Sequence, residues 1–248
     1  MQKNRLLASM GALGLAVFAV GWGGGPDRLP ATSATAATVT GVVKFQGSPP
    51  TMPAIDMSGE AVCNDQHSSP PQERTVVVNG NGTLKDAFVY VKAGLDESVR
   101  HPAPRDSAWI DQVNCRYEPR VVGAQVGQRI AIRNSDPVLH NVNAKPTENR
   151  GFNISQPAQG MVSSRNFRVP EVMVRIACDV HGWMSAYVGV LPHPYFATTG
   201  DDGSFAIPDL PPGTYTLEAW HEQYGTQTME VTVGADETSA IEFSFGAN

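Results

Sequence analysis

Cysteine is scarce in this chain, with 3 in 248 residues, and so is charge: Asp, Glu, Lys and Arg together make up 17%. The charges are also scattered. With Lys and Arg at 18, Asp and Glu at 24 and a net charge of −6, no basic run exists to neutralise a phosphate backbone or an anionic membrane surface, which argues against nucleic acid as a partner. A long apolar run is missing too. The longest, Leu6 to Val20, falls short of the roughly 20 residues a membrane-spanning helix needs, and Gly11 and Gly14 interrupt it. The chain carries no nucleophile elbow and no phosphate-binding glycine loop, and its 6 histidines are too few for a multinuclear oxidase. A sustained 3.6-residue apolar period is absent after the first 36 residues, so helical bundles and coiled coils are excluded.

What the chain does have is turn punctuation. Its 24 Gly and 19 Pro separate short β-branched and aromatic runs: Thr38 to Phe45, Thr75 to Asn79, Ala87 to Lys92, Val121 to Val126, Arg129 to Arg133, Val172 to Ala177, Ala186 to Leu191, Ser204 to Ile207, Tyr215 to Trp220, Thr226 to Val233 and Ile241 to Phe245. This is the pattern of an all-β protein built from sandwiches. Gly94 to Arg105 and Ala144 to Gly160, both rich in Pro and Gly, read as loops.

Residues 1–36 read as an export signal. Lys3 and Arg5 precede the apolar run, and Ala34-Thr35-Ala36 fits the small-residue pattern of a cleavage site. The expected location is periplasmic or otherwise exported, with no membrane span once the signal is removed. In that oxidising setting Cys63 and Cys115 are candidates for a disulfide, which would close a loop of about fifty residues and contribute on the order of 4 kcal/mol. A second metal site formed by Cys63, His67 and Cys115 is the alternative. Either way Cys178 is the odd thiol.

The chemistry concentrates in Cys178-Asp179-Val180-His181-Gly182-Trp183-Met184. A thiolate, an imidazole and a thioether share one turn between two strand-like runs, and His140, following its own strand and turn, is the candidate fourth ligand. Two His, one Cys and a weak axial Met form the set that holds copper in electron-transfer proteins, because soft sulfur suits Cu(I) and imidazole suits both oxidation states; zinc sites rarely employ Met. Asn141 is placed to hydrogen-bond across to the Cys178 turn.

On these motifs, with Tyr117-Glu118-Pro119, Val126-Gly127-Gln128 and His140-Asn141-Val142 in matching order, residues Trp109 to Leu191 resemble the cupredoxins, the type 1 blue copper proteins, in their amicyanin/plastocyanin-like branch. The resemblance covers about a third of the chain. It implies a Greek-key β-sandwich over 107–192 with one type 1 site cycling Cu(I) and Cu(II), His140, Cys178, His181 and Met184 as metal ligands, and His181 as an exposed edge for electrons. It also implies a c-type cytochrome or periplasmic dehydrogenase as transient partner, and no enzymatic turnover. Gly182 stands where amicyanin-type loops carry proline, which leaves the loop less restrained. Asp201-Asp202-Gly203-Ser204-Phe205 and Leu210-Pro211-Pro212-Gly213-Thr214-Tyr215 resemble the carboxypeptidase regulatory-like (transthyretin-like) modules. That resemblance implies a second, smaller β-sandwich made of 38–93 and 196–248, with the cupredoxin inserted. His193 and His221 are expected to be structural or solvent-facing rather than ligands.

Overall fold

The computed structural model describes residues 35–246, so the export signal expected over 1–36 lies almost wholly outside them. The chain runs through β1 (Ala37–Gln46), α1 (Ala61–Asn64), β2 (Phe88–Ala93), β3 (Ala108–Val113), β4 (Arg116–Glu118) and β5 (Val121–Gln125). It continues through β6 (Ile130–Asn134), β7 (His140–Lys145), β8 (Phe152–Gln156), β9 (Val162–Arg165), β10 (Glu171–Ala177) and β11 (Ser185–Leu191). The last elements are β12 (Phe196–Thr198), β13 (Ser204–Leu210), β14 (Gly213–His221), β15 (Gly225–Val233) and β16 (Thr238–Gly246). The fold is all-β. Among the described residues no helix is long and apolar enough to cross a membrane.

Four sheets form two face-to-face pairs. In the first pair, the order β4-β3-β6-β9 packs on β5-β11-β10-β7-β8, and the chain crosses repeatedly from one sheet to the other. Its core holds Ile110, Ile132, Val142, Val174, Ile176, Ala186, Val188 and Val190, the inward positions of strands whose side chains alternate at period two. In the second pair, β13-β1-β16 packs on β12-β2-β14-β15 around Val39, Val43, Val89, Val91, Ile207, Leu217, Phe243 and Phe245.

β2 joins the two cores. Its run Phe88-Val89-Tyr90-Val91 is buried throughout, as a strand covered on both faces requires. Val89 and Val91 face the second core, while Phe88 and Tyr90 pack with Val121 and Leu191 of the first pair. Two glycines permit the approach. A Cβ on Gly189 would stand 2.5 Å from the Phe88 ring and one on Gly123 would stand 2.2 Å from Phe196, so the aromatic layer fits only where β11 and β5 carry no side chain.

Two expectations need correction. Thr75 to Asn79 is not a strand: this stretch holds only the isolated bridge Val78↔Leu84, in a region punctuated by Pro70 and Pro71. Ala144 to Gly160 is not wholly a loop, because it contains β8, antiparallel to β7 from His140↔Gln156 to Ala144↔Phe152. β8 is a sheet edge, buried fully only at Gln156, and its apolar alternation is confined to the half-buried Phe152 and Ile154. The turn between them is held by Glu171, whose carboxylate accepts the backbone N–H groups of Thr147, Glu148 and Asn149.

Candidate metal centre

His140 opens β7 because the preceding turn is tied from within. The Asn134 amide donates to the carbonyls of Val138 and Gln156 at 2.9 Å each, and its oxygen accepts the Asp136 N–H at 2.9 Å. Cys178 follows β10 directly, and residues 178–184 close the hairpin to β11, where Ala177 faces Ser185. Two backbone bonds shape this loop: the Cys178 N–H donates to the Met184 carbonyl at 3.2 Å, and the Met184 N–H donates to the His181 carbonyl at 2.9 Å. Asp179 fastens it to the neighbouring strands. Its N–H donates to Asn141 Oδ1 at 2.6 Å, and its carboxylate accepts from the amides of Asn141, Asn143 and Asn153. The bracing role read for Asn141 is therefore visible in the structure.

These constraints bring His140, Cys178 and His181 together, with ligand atoms all within 4.8 Å of one another. The two Nδ1 atoms lie 2.9 Å apart, and Cys178 Sγ is 3.7 Å from His181 Nδ1. The three residues and Met184 are all buried. Burial pushes the Cys178 thiol up, but hydrogen bonds from His140, His181 and the backbone of Asn141 and His181 outweigh it and bring the group down to about 5. A thiolate and two imidazoles, buried and converging, are a donor set that fits copper or zinc; the thioether in the same loop tilts the preference to copper.

The orientation of His140 comes from Asp136. His140 Nε2 lies 2.9 Å from the Asp136 carboxylate, a contact that turns the ring so that Nδ1 faces the site. Asp136 is itself buried and accepts the backbone N–H groups of Asn114 and Cys115 at 2.8 Å each. Behind the loop, the Tyr117 hydroxyl donates to the Asn141 carbonyl at 2.7 Å, and burial holds that phenol above its usual range.

Cys63 and Cys115 are joined in a disulfide with Cα atoms 5.5 Å apart, which removes both from any second metal site with His67. His67 instead places Nε2 3.0 Å from the Asn114 carbonyl. The bridge has a positional consequence that spacing alone did not reveal. Cys63 Sγ lies 3.8 Å and Glu60 Oε2 3.9 Å from His181 Nε2, so the segment around α1 covers the imidazole edge. The Trp183 indole N–H donates to the Cys115 carbonyl at 3.0 Å, and its ring packs on His181. His181, expected as an exposed edge, is only 2% exposed. The local sequence had pointed to neither Asp136 nor this cover. The one available signal was a carboxylate four positions before His140.

His193 and His221 do not belong to the cluster, and both are buried rather than solvent-facing. Each accepts a backbone N–H two residues on, from Tyr195 and Gln223 respectively, and burial depresses both to about 4.

Residues 185–246 match the family model of the carboxypeptidase regulatory-like domain, a quarter of the chain. That match begins in β11, which pairs with β10 and β5, and runs to the end of β16. No curated protein matches the chain. Solved structures similar to it include a Cu-containing nitrite reductase from Thermus scotoductus SA-01, at 16% identity over 40% of this chain and TM-score 0.32. The aligned part spans 25% of the nitrite reductase's length. A purple cupredoxin from Nitrosopumilus maritimus aligns at 21% identity over 34% of this chain and 98% of its own, with TM-score 0.30. An oxidised amicyanin variant aligns at 16% identity over 41% of this chain and 97% of its own, with TM-score 0.31.

Proposed function

We propose that the chain is an exported type 1 copper protein that passes single electrons between redox partners, with His140, Cys178, His181 and Met184 holding one copper ion. The observation that carries this reading is the buried convergence of His140, from β7, with the imidazole of His181 and the sulfur of Cys178 on a loop whose backbone is fixed by its own hydrogen bonds. When bound, copper supplies one-electron exchange between Cu(II) and Cu(I). The rest belongs to the chain. Cys178 is held as a thiolate by its neighbours, Asp136 sets the ring of His140, and the Asp179 clamp keeps the loop in register with β7. Met184, buried in the same loop, would add a thioether that tunes the potential of the bound metal. A donor set arranged before the metal arrives changes little between oxidation states.

In this reading the second sheet pair is one sandwich made of 38–93 and 196–248, interrupted by the copper sandwich at 107–192, and it serves binding or spacing rather than catalysis. Export is supported by the N-terminal pattern and by the disulfide. A c-type cytochrome or a periplasmic dehydrogenase is the partner class. Electron exchange has to cross the cover formed by Cys63, Cys115 and Trp183, since the His181 edge lies beneath it.

That cover also favours a second reading, copper storage or delivery, in which the same donors hold Cu(I) in a closed site. One experiment separates the two. Adding Cu(II) to the exported protein is expected to produce an intense visible sulfur-to-copper absorption that Cys178→Ser abolishes; a colourless wild type overturns the copper assignment. Fast, reversible bleaching by a reduced c-type cytochrome marks a carrier, and a coloured site that such donors do not bleach marks a store.

A further inference from the structure

Four arginines approach one cleft of about 220 Å³ beside the metal-binding loop: Arg74 from the segment before β2, Arg116 from β4, Arg120 from the turn before β5 and Arg175 from β10. Trp183 and Glu222 complete the walls. Guanidinium groups repel one another, and a group of four from separate parts of the chain needs compensating charge.

The structure provides that charge for two of them. Arg74 pairs with Glu118 and donates to the Tyr117 carbonyl at 3.2 Å. Arg120 is clamped by both oxygens of Glu222, the longer contact at 2.8 Å, and reaches the Ser185 carbonyl at 3.4 Å.

The other two have no carboxylate partner among the described residues. Arg116 donates one Nη2 bond, 2.8 Å, to the Gln72 carbonyl, while its Nε is buried with no acceptor. A buried charged donor left unmatched is costly, and so are its neighbours: burial first, then the Arg74 charge, hold Arg116 below the usual guanidinium range against the opposing pull of Glu118. Arg175 is exposed, lines the cleft together with Tyr187, whose hydroxyl it meets, and forms no ion pair. The one remaining carboxylate of the lining, Glu73, is exposed and pairs with no cation.

We propose that this cleft binds a small oxyanion, with Arg116 and Arg175 as its principal donors. The planar fork of a guanidinium matches two oxygens of a carboxylate or a phosphate at once, and two such forks free of internal carboxylates select an anion small enough for the cleft. Size and overall charge exclude a polyanion: the chain is at −6 and the cationic groups line a recess rather than a surface stripe. Gly182 to Ser185 also line the cleft, so an occupant sits against the loop that carries His181 and Met184.

The site is tested on copper-free full-length protein, which keeps the result independent of the metal assignment. Titration calorimetry at low ionic strength uses two probes, inorganic phosphate and malonate, with the Trp183 indole N–H resonance as a local reporter. Saturable binding of one or both is expected, weakened at least tenfold in Arg116→Gln and in Arg175→Gln and unchanged in Arg100→Gln, a distant exposed cation. Binding of phosphate alone assigns an inorganic anion, and binding of malonate alone assigns a carboxylate metabolite. Arg175→Gln alters an exposed side chain and keeps the test valid if Arg116→Gln fails to fold. The proposal is overturned if neither probe saturates at millimolar concentration, or if Arg100→Gln weakens binding as much as Arg175→Gln does.

Discussion

Replacing both bridged cysteines, Cys63→Ser with Cys115→Ser, should loosen the cover on His181 and lower global stability together. The bridge spans a sequence separation of 52 residues, and its loop-closure entropy corresponds to about 4 kcal/mol. Set against a typical unfolding free energy of roughly 5–15 kcal/mol, that loss is large but leaves a folded protein. Urea denaturation should show the midpoint falling by the equivalent amount. Besides the Asn114 and Cys115 N–H bonds to Asp136, the cover is held by few others: Trp183 to the Cys115 carbonyl, His67 to the Asn114 carbonyl, and Gln66 to Cys115 Sγ at 3.7 Å. If closing the cover is worth even about 1.4 kcal/mol, its removal raises the open population tenfold. A Cu(I) chelator should then strip the loaded variant at least tenfold faster than the wild type. An unchanged urea midpoint, or stripping rates within a factor of two, would refute the argument that the bridge both staples the fold and seals the imidazole edge.

Two further outcomes follow from the same geometry. Asp136→Ala leaves His140 Nε2 and the N–H groups of Asn114 and Cys115 without their buried partner, and competition titration should show metal affinity about 10–100-fold lower, with Asp136→Asn recovering part of it. His193 and His221 are held neutral down to about 4, whereas an unfolded histidine takes up its proton near pH 6.5. Between those values the unfolded chain binds more protons. Stability is therefore full above about pH 6.5 and falls as pH drops toward 4, by about 3 kcal/mol per histidine. Urea midpoints measured from pH 7 to pH 4.5 should trace that slope, and His221→Phe should flatten it; an equally steep slope in the variant contradicts the assignment.

Strands that bury one face or two were readable in the sequence because burial imposes period two or an unbroken apolar run; β2, β11 and β14 show this plainly. β8 and β9 lie at sheet edges; β9 has one apolar residue in four, and the alternation of β8 rests on Phe152 and Ile154 alone within a Pro- and Gly-rich stretch, too short to mark a strand. The closeness of Cys178 and His181 followed from their sharing a hairpin loop, and the turn before β7 hinted at His140. The cover could not be foreseen in the same way. It depends on α1, a helix of four residues, being carried onto the loop by a disulfide, and on Asp136, whose partners besides His140 are backbone groups that carry no sequence signature. The cleft arginines were equally silent, since they come from four separate stretches and meet only in space.

β1 lies between β13 and β16, in parallel register with the latter from Thr38↔Thr238 to Gln46↔Gly246, with contacts such as Thr40 to Ser239 that join positions 199 apart. Every strand of the sheet pair that contains His140 and Cys178 is synthesised within one unbroken stretch, whereas β1, bridged early only at Lys44↔Thr83, lacks its sheet partners β13 and β16 until nearly the whole chain exists. The two halves of the molecule thus have different clocks: the inserted half closes through shorter loops, and the outer half waits for the C-terminal strand. Nascent chains halted after β11 should already bury the donor cluster while their first strand still lacks both of its sheet partners.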